Sequence, residues 1–325
     1  MTGQVDFGVA LPTFCGGAWT GEPLNIEKLT QFTRSAEKLG YTSLWHLDRL
    51  TAARPSYTST MFEPLVTLAS LVSASGRMKL GTSVLVAPFR NPAILAKQVS
   101  TIDVISGGRF QLGVGTGWDP DEFELTGINK KERGARFEET IQILKLLWTE
   151  EYASYEGRYW KFRKMQLEPK PIQSPHPPIL MGAGASSYSD SEKLQRVLSR
   201  VAKLGDGWFA VSGSSPEAIR YSIKQLKLLL REEKRDPTSF PFIHHKYAYL
   251  MKDDDDILAR RKIAEVFGRP YGELEQVHLF CGATEMERRI KGFVEAGLSQ
   301  FNIIPISEDN GVVEFVAKEI MPKYL

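Results

Sequence analysis

The chain has 325 residues, of which 42% are hydrophobic and 25% charged, a globular composition that excludes a disordered protein. Its 41 basic and 39 acidic residues give a formal net charge of +2, which provides no electrostatic basis for binding nucleic acid or an anionic membrane. Two cysteines are too few for a disulfide scaffold, and no stretch resembles a signal peptide or a membrane span. We therefore expect a cytoplasmic protein without nucleic-acid or membrane partners.

Short apolar segments alternate with amphipathic ones from the start of the chain. Apolar residues at helical spacing run from Asn25 to Leu39 and stop at Gly40, and Pro92 stands in the first turn of a later helix. In the first half the pattern predicts strands at 7–11, 42–47, 79–87 and 109–114, and helices at 25–39, 64–74, 92–104 and 132–148.

A segment near residues 150–176 interrupts this alternation. Residues 152–165 predict a small hairpin, and the proline-rich residues 169–178 predict an extended chain. The alternation then resumes, with strands predicted at 179–181, 207–211, 242–251 and 300–305, and helices at 191–204, 216–232, 257–267, 285–296 and from 312 onward.

Eight strands interleaved with helices predict a parallel sheet with helices around it. The length fits a (β/α)8 barrel of about 250 residues plus insertions. We therefore expect an α/β protein, a (β/α)8 TIM barrel that forms a single domain over residues 1–325 with an insertion near 150–176. A doubly wound open sheet is the alternative.

The carboxyl ends of the strands are where a barrel of this kind places its chemistry. His46, Asp48 and Arg49 close the second strand. A histidine beside a carboxylate is a usable acid–base pair, and an arginine stabilises an oxyanion. These three are our candidate catalytic residues, and a salt-linked strand end is the alternative interpretation.

Two glycine-rich segments also follow strands. The run from Gly113 to Gly117 (GVGTG) places its third glycine too early for a dinucleotide fingerprint. Its glycines either admit a flat ligand or form a tight strand exit. Residues 182–187 (GAGASS) precede a helix, so their N–H groups and hydroxyls predict a phosphate site, with a plain flexible loop as the alternative.

Aromatic and apolar residues near the strand ends predict a partly apolar substrate pocket, although such residues are also ordinary barrel core. The candidate pocket residues are Phe14, Cys15, Trp118 and Trp208. The histidines outside the second strand lack metal-ligand spacing and are interpreted as structural or surface residues. Because His244 and His245 are adjacent on a strand, only one of them can face the barrel interior.

The stretch from Lys79 to Glu122 resembles the bacterial luciferase-like superfamily, which contains FMN-dependent monooxygenases and coenzyme F420-dependent oxidoreductases. It carries a third strand, an Asn-Pro helix start, a Ser-Gly-Gly-Arg turn and a Gly-Val-Gly-x-Gly-Trp exit in the family's order. The segments SLWHLDRL, EPKPIQSPHPPILMGAGASS and RVAKLGDGWF look like the family's second, fifth and sixth strand regions. The resemblance extends to about Ser214 and returns over residues 282–301.

This resemblance implies a flavin or deazaflavin at the mouth of a TIM barrel. Ser83 and Val84 would form a bulge behind the isoalloxazine, often with a non-proline cis peptide, and Asp48 would lie beside the ring. The insertion over residues 152–175 would help to cover the site. The remaining implied cofactor contacts are Thr116, Gly117 and Asp121 near the tail, and Gly182, Ala183, Gly184, Ala185 and Ser186 at the phosphate.

Three positions depart from the family's patterns. Arg49 stands where the F420 branch commonly has the histidine that serves as a base, and Trp118 replaces the acid of its sugar-phosphate dehydrogenases. Glucose-6-phosphate dehydrogenation is therefore not expected. Thr116 stands where luciferases place an arginine for the FMN phosphate, so light emission is not expected either.

Two main hypotheses follow from the resemblance. The first is a monooxygenase that uses O2 and reduced FMN, supplied by a flavin reductase, on a small, partly apolar substrate. The second is an F420-dependent oxidoreductase that transfers hydride to or from a small organic molecule. Thr116 favours this second hypothesis. The acidic tail of F420 would need basic residues such as Arg49, Arg90, Lys130 and Lys131. A non-catalytic flavin-binding barrel is a third possibility, and the family leads us to expect a homodimer.

Overall fold

The computed structural model describes residues 4–15, 25–51, 61–184, 191–252, 256–307 and 311–324. Within them the strands are β1 Asp6–Ala10, β2 Ser43–His46, β3 Lys79–Thr82, β4 Leu85–Val86, β5 Phe110–Gly115, β6 Ala153–Glu156, β7 Lys161–Met165, β8 Ile179–Ala183, β9 Gly207–Ala210, β10 Phe242–Leu250, β11 Leu279–Cys281 and β12 Gln300–Pro305. The helices are α1 Ile26–Lys38, α2 Pro64–Ser70, α3 Pro92–Ile105, α4 Pro120–Leu125, α5 Arg133–Thr149, α6 Ser191–Leu204, α7 Pro216–Glu232, α8 Ile257–Phe267, α9 Tyr271–Val277, α10 Ala283–Glu295 and α11 Gly311–Phe315.

Eight parallel strands close into a barrel. Their order is β1, β2, β3, β5, β8, β9, β10 and β12, and β12 pairs with β1 to complete the ring. Helices follow the strands and surround them, as in a (β/α)8 TIM barrel. This confirms the predicted fold class and excludes the open-sheet alternative.

Local sequence explains where the helices begin. The Asn25 side chain accepts a hydrogen bond from the Lys28 N–H (2.9 Å) at the start of α1, and Asn91 accepts from Ala93 N–H (2.9 Å) at the start of α3. Proline occupies the first position of α2, α3 and α7, where its missing N–H has no cost.

The core has two layers, because side chains alternate across each strand. Leu44 packs between the sheet and the helices, whereas Trp45 lies inside the barrel, with its ring edge-on to Phe209 at 5.4 Å between centroids. Both layers are fully buried at these positions. The alternation fixes which residue at each strand end can reach the barrel mouth.

The insertion near residues 150–176 contains the predicted hairpin, β6 paired antiparallel with β7. The Glu139 carboxylate on α5 accepts hydrogen bonds from the backbone N–H groups of Arg158 and Tyr159, at 2.7 and 3.1 Å. The hairpin is therefore fixed to α5, on the outside of the barrel.

Three short elements were not predicted from the sequence: α4, α9 and β11. β11 pairs with the end of β10, outside the ring of eight. Over the described part of the chain, no helix combines the length and apolar character needed to cross a membrane.

Candidate active site

A cavity of about 460 Å³ opens at the carboxyl ends of the barrel strands, within the usual size range of small-molecule sites. Its lining comes from the carboxyl ends of β2, β4, β5, β8 and β9, from the middle of β10, from the start of α5 and from α6 as far as Val201. The location is the one expected for the chemistry of a TIM barrel.

One wall is formed where β3 gives way to β4. Ser83 and Val84 line the cavity there, and the peptide bond between them is cis, as the resemblance implied. A Cβ on Gly115 would lie 2.8 Å from Val84 Cγ2, and one on Gly182 would lie 3.0 Å from it. These glycines therefore make room for Val84, which lies under this part of the cavity.

The glycines of the run from Gly113 to Gly117 serve different purposes: one allows close packing, and another lines the cavity. A Cβ on Gly113 would lie only 1.8 Å from the Thr82 carbonyl oxygen, so this glycine serves the tight strand exit rather than a ligand. Gly117 lines the cavity at φ +75°, a backbone conformation that glycine adopts readily.

Asp48 lines the cavity but is fully engaged. It accepts two hydrogen bonds from the Arg90 guanidinium, at 2.7 and 2.9 Å, and a third from the Val86 N–H at 2.8 Å. The Asp48 side chain is 2% exposed. The Asp48 charge and hydrogen bonds raise the pKa of Arg90 despite its burial. A carboxylate held in this way is a fixed structural charge and not a free base.

Arg49 also lines the cavity, and it is held by two carboxylates. Its Nη2 donates to Asp119 at 2.5 Å, and its Nε lies 3.3 Å from Glu122. The guanidinium lies over the Trp118 ring at 5.0 Å. The remaining nitrogen, Nη1, is buried without a hydrogen-bond partner among the described residues, so it is free to bind a ligand oxygen.

His46 is the candidate catalytic residue that the structure does not bring to the cavity. Because Trp45 faces the barrel interior, His46 faces outward, where it is fully buried and outside the cavity lining. Its Nδ1 donates to the Leu47 carbonyl at 2.6 Å, and burial lowers its pKa to about 4. The acid–base pair predicted for His46 and Asp48 therefore does not form.

The part of the cavity wall at the end of β8 is suited to an anion. Gly182, Ala183 and Gly184 line it at the end of β8, with Gly184 at φ +145°. Ala185 and Ser186 lie outside the described residues, so their predicted phosphate contacts stay predictions. The three described positions nevertheless present the backbone of the predicted phosphate segment to the cavity.

Three cations that the sequence analysis missed join this wall: Arg133, Lys193 and Arg200. Arg200 donates to Glu138 at 2.6 Å, whereas Arg133 donates to the Lys130 carbonyl at 2.9 Å and has no carboxylate in ion-pair range among the described residues. The seven-residue spacing of the two α6 cations places them on one helix face, a signal the sequence contained.

Of the other predicted site residues, some line the cavity and some do not. Thr116 and Trp118 line the cavity, but Asp121 is exposed and does not; its neighbour Asp119 binds Arg49 instead. Trp208 is also absent from the lining, because Phe209 faces the barrel and Trp208 faces the helices, where its Nε1 donates to the Ala183 carbonyl at 2.8 Å.

For the remaining predicted residues, the backbone of Phe14 and Cys15 is described, but their side chains lie outside the described residues. Among the basic residues proposed for an F420 tail, Arg49 lines the cavity, and Arg90, Lys130 and Lys131 do not. No described residue of the insertion lines the cavity either, since the hairpin is fixed to the outer helix α5. The expected covering role of the insertion is therefore not seen.

β10 supplies two residues that the sequence analysis did not place in the site, His245 and Tyr247. As expected for neighbours on a strand, His245 faces inward and His244 outward, where it packs on Phe293 at 4.9 Å between centroids. His245 therefore lines the cavity, a position that its interpretation as a structural or surface residue did not anticipate. Over the described residues, no group of three or more His, Cys, Asp or Glu side chains is arranged to hold a metal ion.

Comparisons with known proteins agree with this architecture. The family model for luciferase-like monooxygenases matches residues 5–314, and the chain belongs to that family. An FMNH2-dependent dimethylsulfone monooxygenase from Pseudomonas putida is 29% identical over 236 residues, 70% of this chain and 61% of the relative. An F420-dependent glucose-6-phosphate dehydrogenase from Segniliparus rotundus is 33% identical over 216 residues, 64% of this chain and 60% of the relative.

The matches thus span about six-tenths of the length of these two relatives, both of which are oxidoreductases, the enzyme class expected from the sequence. Among solved structures, a monooxygenase, RslO1, from Streptomyces bottropensis superposes with a TM-score of 0.81 at 22% identity, covering 99% of this chain and all of that one. At that identity the likeness supports the fold alone.

Proposed function

We propose that the protein is a luciferase-like monooxygenase that uses O2 and reduced FMN, delivered by a separate flavin reductase, to oxidise a small, partly apolar organic substrate. The observation that carries this proposal is the state of the acid–base residues on the cavity. Asp48 is occupied by Arg90, and burial beside Lys246 lowers the pKa of His245 to about 3, which makes its imidazole a weak base. Hydride transfer from an alcohol needs a base to take its proton, and the engaged Asp48 and the weakly basic His245 are poorly suited to that work.

The cavity fits a flavin. Ser83 Oγ is buried without a hydrogen-bond partner among the described residues, and Val84 occupies the space that side chains at Gly115 and Gly182 would fill. These residues would hold the isoalloxazine from behind. When bound, reduced FMN supplies the electrons that activate dioxygen.

The anionic end of the cofactor would lie on the wall at the end of β8. Gly182, Ala183 and Gly184 line this part of the cavity, and Arg133 and Arg200 add guanidinium groups, which are suited to hydrogen bonding with a phosphate. These cations therefore support the binding of an anionic cofactor tail. They would suit either a phosphate alone or a longer acidic tail.

The protein's own work in this proposal is to orient the substrate and exclude water. Leu47, Met61 and Phe209 give the cavity an apolar surface. Arg49 lines the same space, and its Nη1, which has no partner among the described residues, would bind an oxygen that gains negative charge there. In a space with little water this interaction is stronger than in bulk solvent.

The second candidate function is F420-dependent hydride transfer. It is supported by the relative named as an F420-dependent glucose-6-phosphate dehydrogenase and by three cations that line the cavity, Arg133, Lys193 and Arg200. Its chemistry would require a proton donor or acceptor other than Asp48 and His245.

A stopped-flow experiment separates the two candidates. The protein is mixed anaerobically with reduced FMN and then with air-saturated buffer, and flavin reoxidation is followed by absorbance. We expect reoxidation kinetics that differ clearly from those of free reduced FMN and that depend on protein concentration. Kinetics identical to free flavin at saturating protein would reject the monooxygenase proposal.

A further inference from the structure

His245 occupies a defined position inside the barrel. On β10 the inward-facing residues alternate with outward ones, so His245 faces the cavity, while Lys246 faces the surrounding helices. The imidazole lies edge-on to Phe209, with 4.9 Å between ring centroids. β10 lies four strands from β3 around the ring of eight, so His245 stands on the wall opposite Ser83.

The His245 ring has an unused hydrogen-bonding group. Its Nδ1 is buried and has no partner in the described part of the chain. Buried polar atoms in proteins are paired in the great majority of cases, so an unpaired one calls for an explanation, such as an ordered water, an ion or a functional role. The cavity surface near this imidazole is apolar and includes Phe209, Leu47 and Met61.

His245 is kept neutral mainly by its surroundings inside the barrel. Desolvation and, to a lesser degree, the charge of the adjoining Lys246 lower its pKa to about 3, and no carboxylate among the described residues is in ion-pair range of the ring. Its strand neighbour His244 and the facing His278 are also held neutral by burial, and the pKa of each is lowered. A neutral imidazole offers one N–H and one lone pair, and no net charge.

The other charged residues near the apolar part of the cavity are already compensated. Asp48 is paired with Arg90, and Arg49 with Asp119 and Glu122. A substrate that carried its own charge into this space would be desolvated there without a matching counter-charge, which is unfavourable. An uncharged molecule with one polar group has no such cost.

We propose that His245 binds the polar group of the substrate, and that the substrate is an uncharged small molecule in which an apolar body carries a hydrogen-bonding oxygen, as in a sulfone, sulfoxide or ketone. This assignment rests on the proposed function, since it places the substrate between the Ser83–Val84 wall and β10. His245 is then a specificity-determining residue whose role sequence spacing does not indicate.

The test uses protein labelled with 15N-histidine and saturated with oxidised FMN. Dimethyl sulfone and methanesulfonate serve as probes, because they are close in shape and differ in charge. We expect dimethyl sulfone to shift one imidazole 15N signal that is missing from the His245→Gln variant. We expect methanesulfonate to shift it at least tenfold less at equal concentration, and His245→Phe to weaken dimethyl sulfone binding at least tenfold.

Acetone is the second neutral probe, which covers the ketone class. A His245 signal that moves with neither neutral probe, or that moves equally with methanesulfonate, would overturn the assignment. FMN affinity is measured first for each variant and is expected to stay within threefold of the wild-type value for His245→Gln. Binding of reduced FMN by the wild-type protein is measured anaerobically alongside, and its absence would instead defeat the proposed function, so the two failures are distinguishable.

Discussion

Two clusters of buried titratable side chains flank the cavity, and they avoid the cost of buried charge in opposite ways. In the paired cluster every charge meets an opposite one; its members are Asp48, Arg49, Arg90, Asp119 and Glu122. In the neutral cluster no carboxylate is within ion-pair range among the described residues, and the pKa of every member is lowered, mainly by burial; its members are His244, His245 and His278. The paired cluster therefore acts as a charged scaffold, while the neutral cluster provides hydrogen-bonding groups without charge.

Acid is expected to lower the free energy of unfolding through the histidines of the neutral cluster, and this is the largest effect that we predict. The pKa of His245 and of His278 is lowered to about 3, whereas an unfolded histidine titrates near 6.5, so the unfolded state binds more protons between these values. Stability is therefore full above about pH 6.5 and is lost as the pH falls, by about 1.4 kcal/mol per pH unit for each buried histidine.

Urea unfolding at pH 7, 6, 5 and 4 measures this dependence. His245→Gln serves as the control, because it removes one of the titrating groups and is expected to flatten the slope by one proton. A free energy of unfolding that stays constant from pH 7 to pH 4 would contradict the description of these histidines as neutral.

The paired cluster is tested by Asp48→Ala. Among the described residues, the change leaves the Arg90 guanidinium, 14% exposed, with Glu63 at 3.3 Å as its remaining ion-pair partner, and it leaves the Val86 N–H without its acceptor. Removing one partner of a buried ion pair costs about 3 kcal/mol. We expect a loss of that size in urea unfolding, against less than about 0.5 kcal/mol for the exposed control Asp121→Asn. Equal effects of the two substitutions would show that Asp48 is not a structural charge.

A substitution at the end of β8, which belongs to neither cluster, tests the proposed phosphate-binding segment. Gly184→Asp places a carboxylate at the segment proposed to bind the cofactor phosphate, at a φ of +145° that a side chain tolerates poorly. We expect at least a 100-fold loss of reduced FMN affinity with the barrel intact by circular dichroism. Lys131→Ala, an exposed residue off the cavity, is the matched control, and unchanged affinity in Gly184→Asp would remove this segment from the site.

The smallest predicted effect concerns Arg49. Arg49→Ala removes the unpartnered Nη1 from the cavity and leaves Asp119 and Glu122 close to each other. We expect turnover to fall about tenfold, with less than a threefold change in flavin affinity, because the group is proposed to act on the substrate. A turnover number equal to that of the wild type would exclude Arg49 from the site.

Much of this architecture could be predicted from the sequence. Strand alternation and helix starts such as Asn25 and Asn91 specified the eight strand–helix units, because each signal is local. α9 and β11 were missed because seven and three residues are too few to show a period. The order of the strands around the barrel followed from the fold class.

The site was harder to predict, because its contacts join distant parts of the chain. The Asp48–Arg90 pair spans 42 residues, and nothing in the local pattern distinguishes this bound carboxylate from a free one. Whether Trp208 or Phe209 reaches the cavity depends on strand register, which a shift of one residue reverses. His245 was missed for a related reason: its role depends on being inside the barrel and uncharged.

The most direct test of the central claim is an anaerobic titration of the purified protein with reduced FMN and, separately, with coenzyme F420, followed by absorbance and fluorescence. If the protein is the proposed monooxygenase, we expect saturable binding of reduced FMN that is at least tenfold tighter than its binding of F420. Tight F420 binding without affinity for reduced FMN would contradict it, and would assign the cationic wall of Arg133, Lys193 and Arg200 to the acidic tail of a hydride-transfer cofactor.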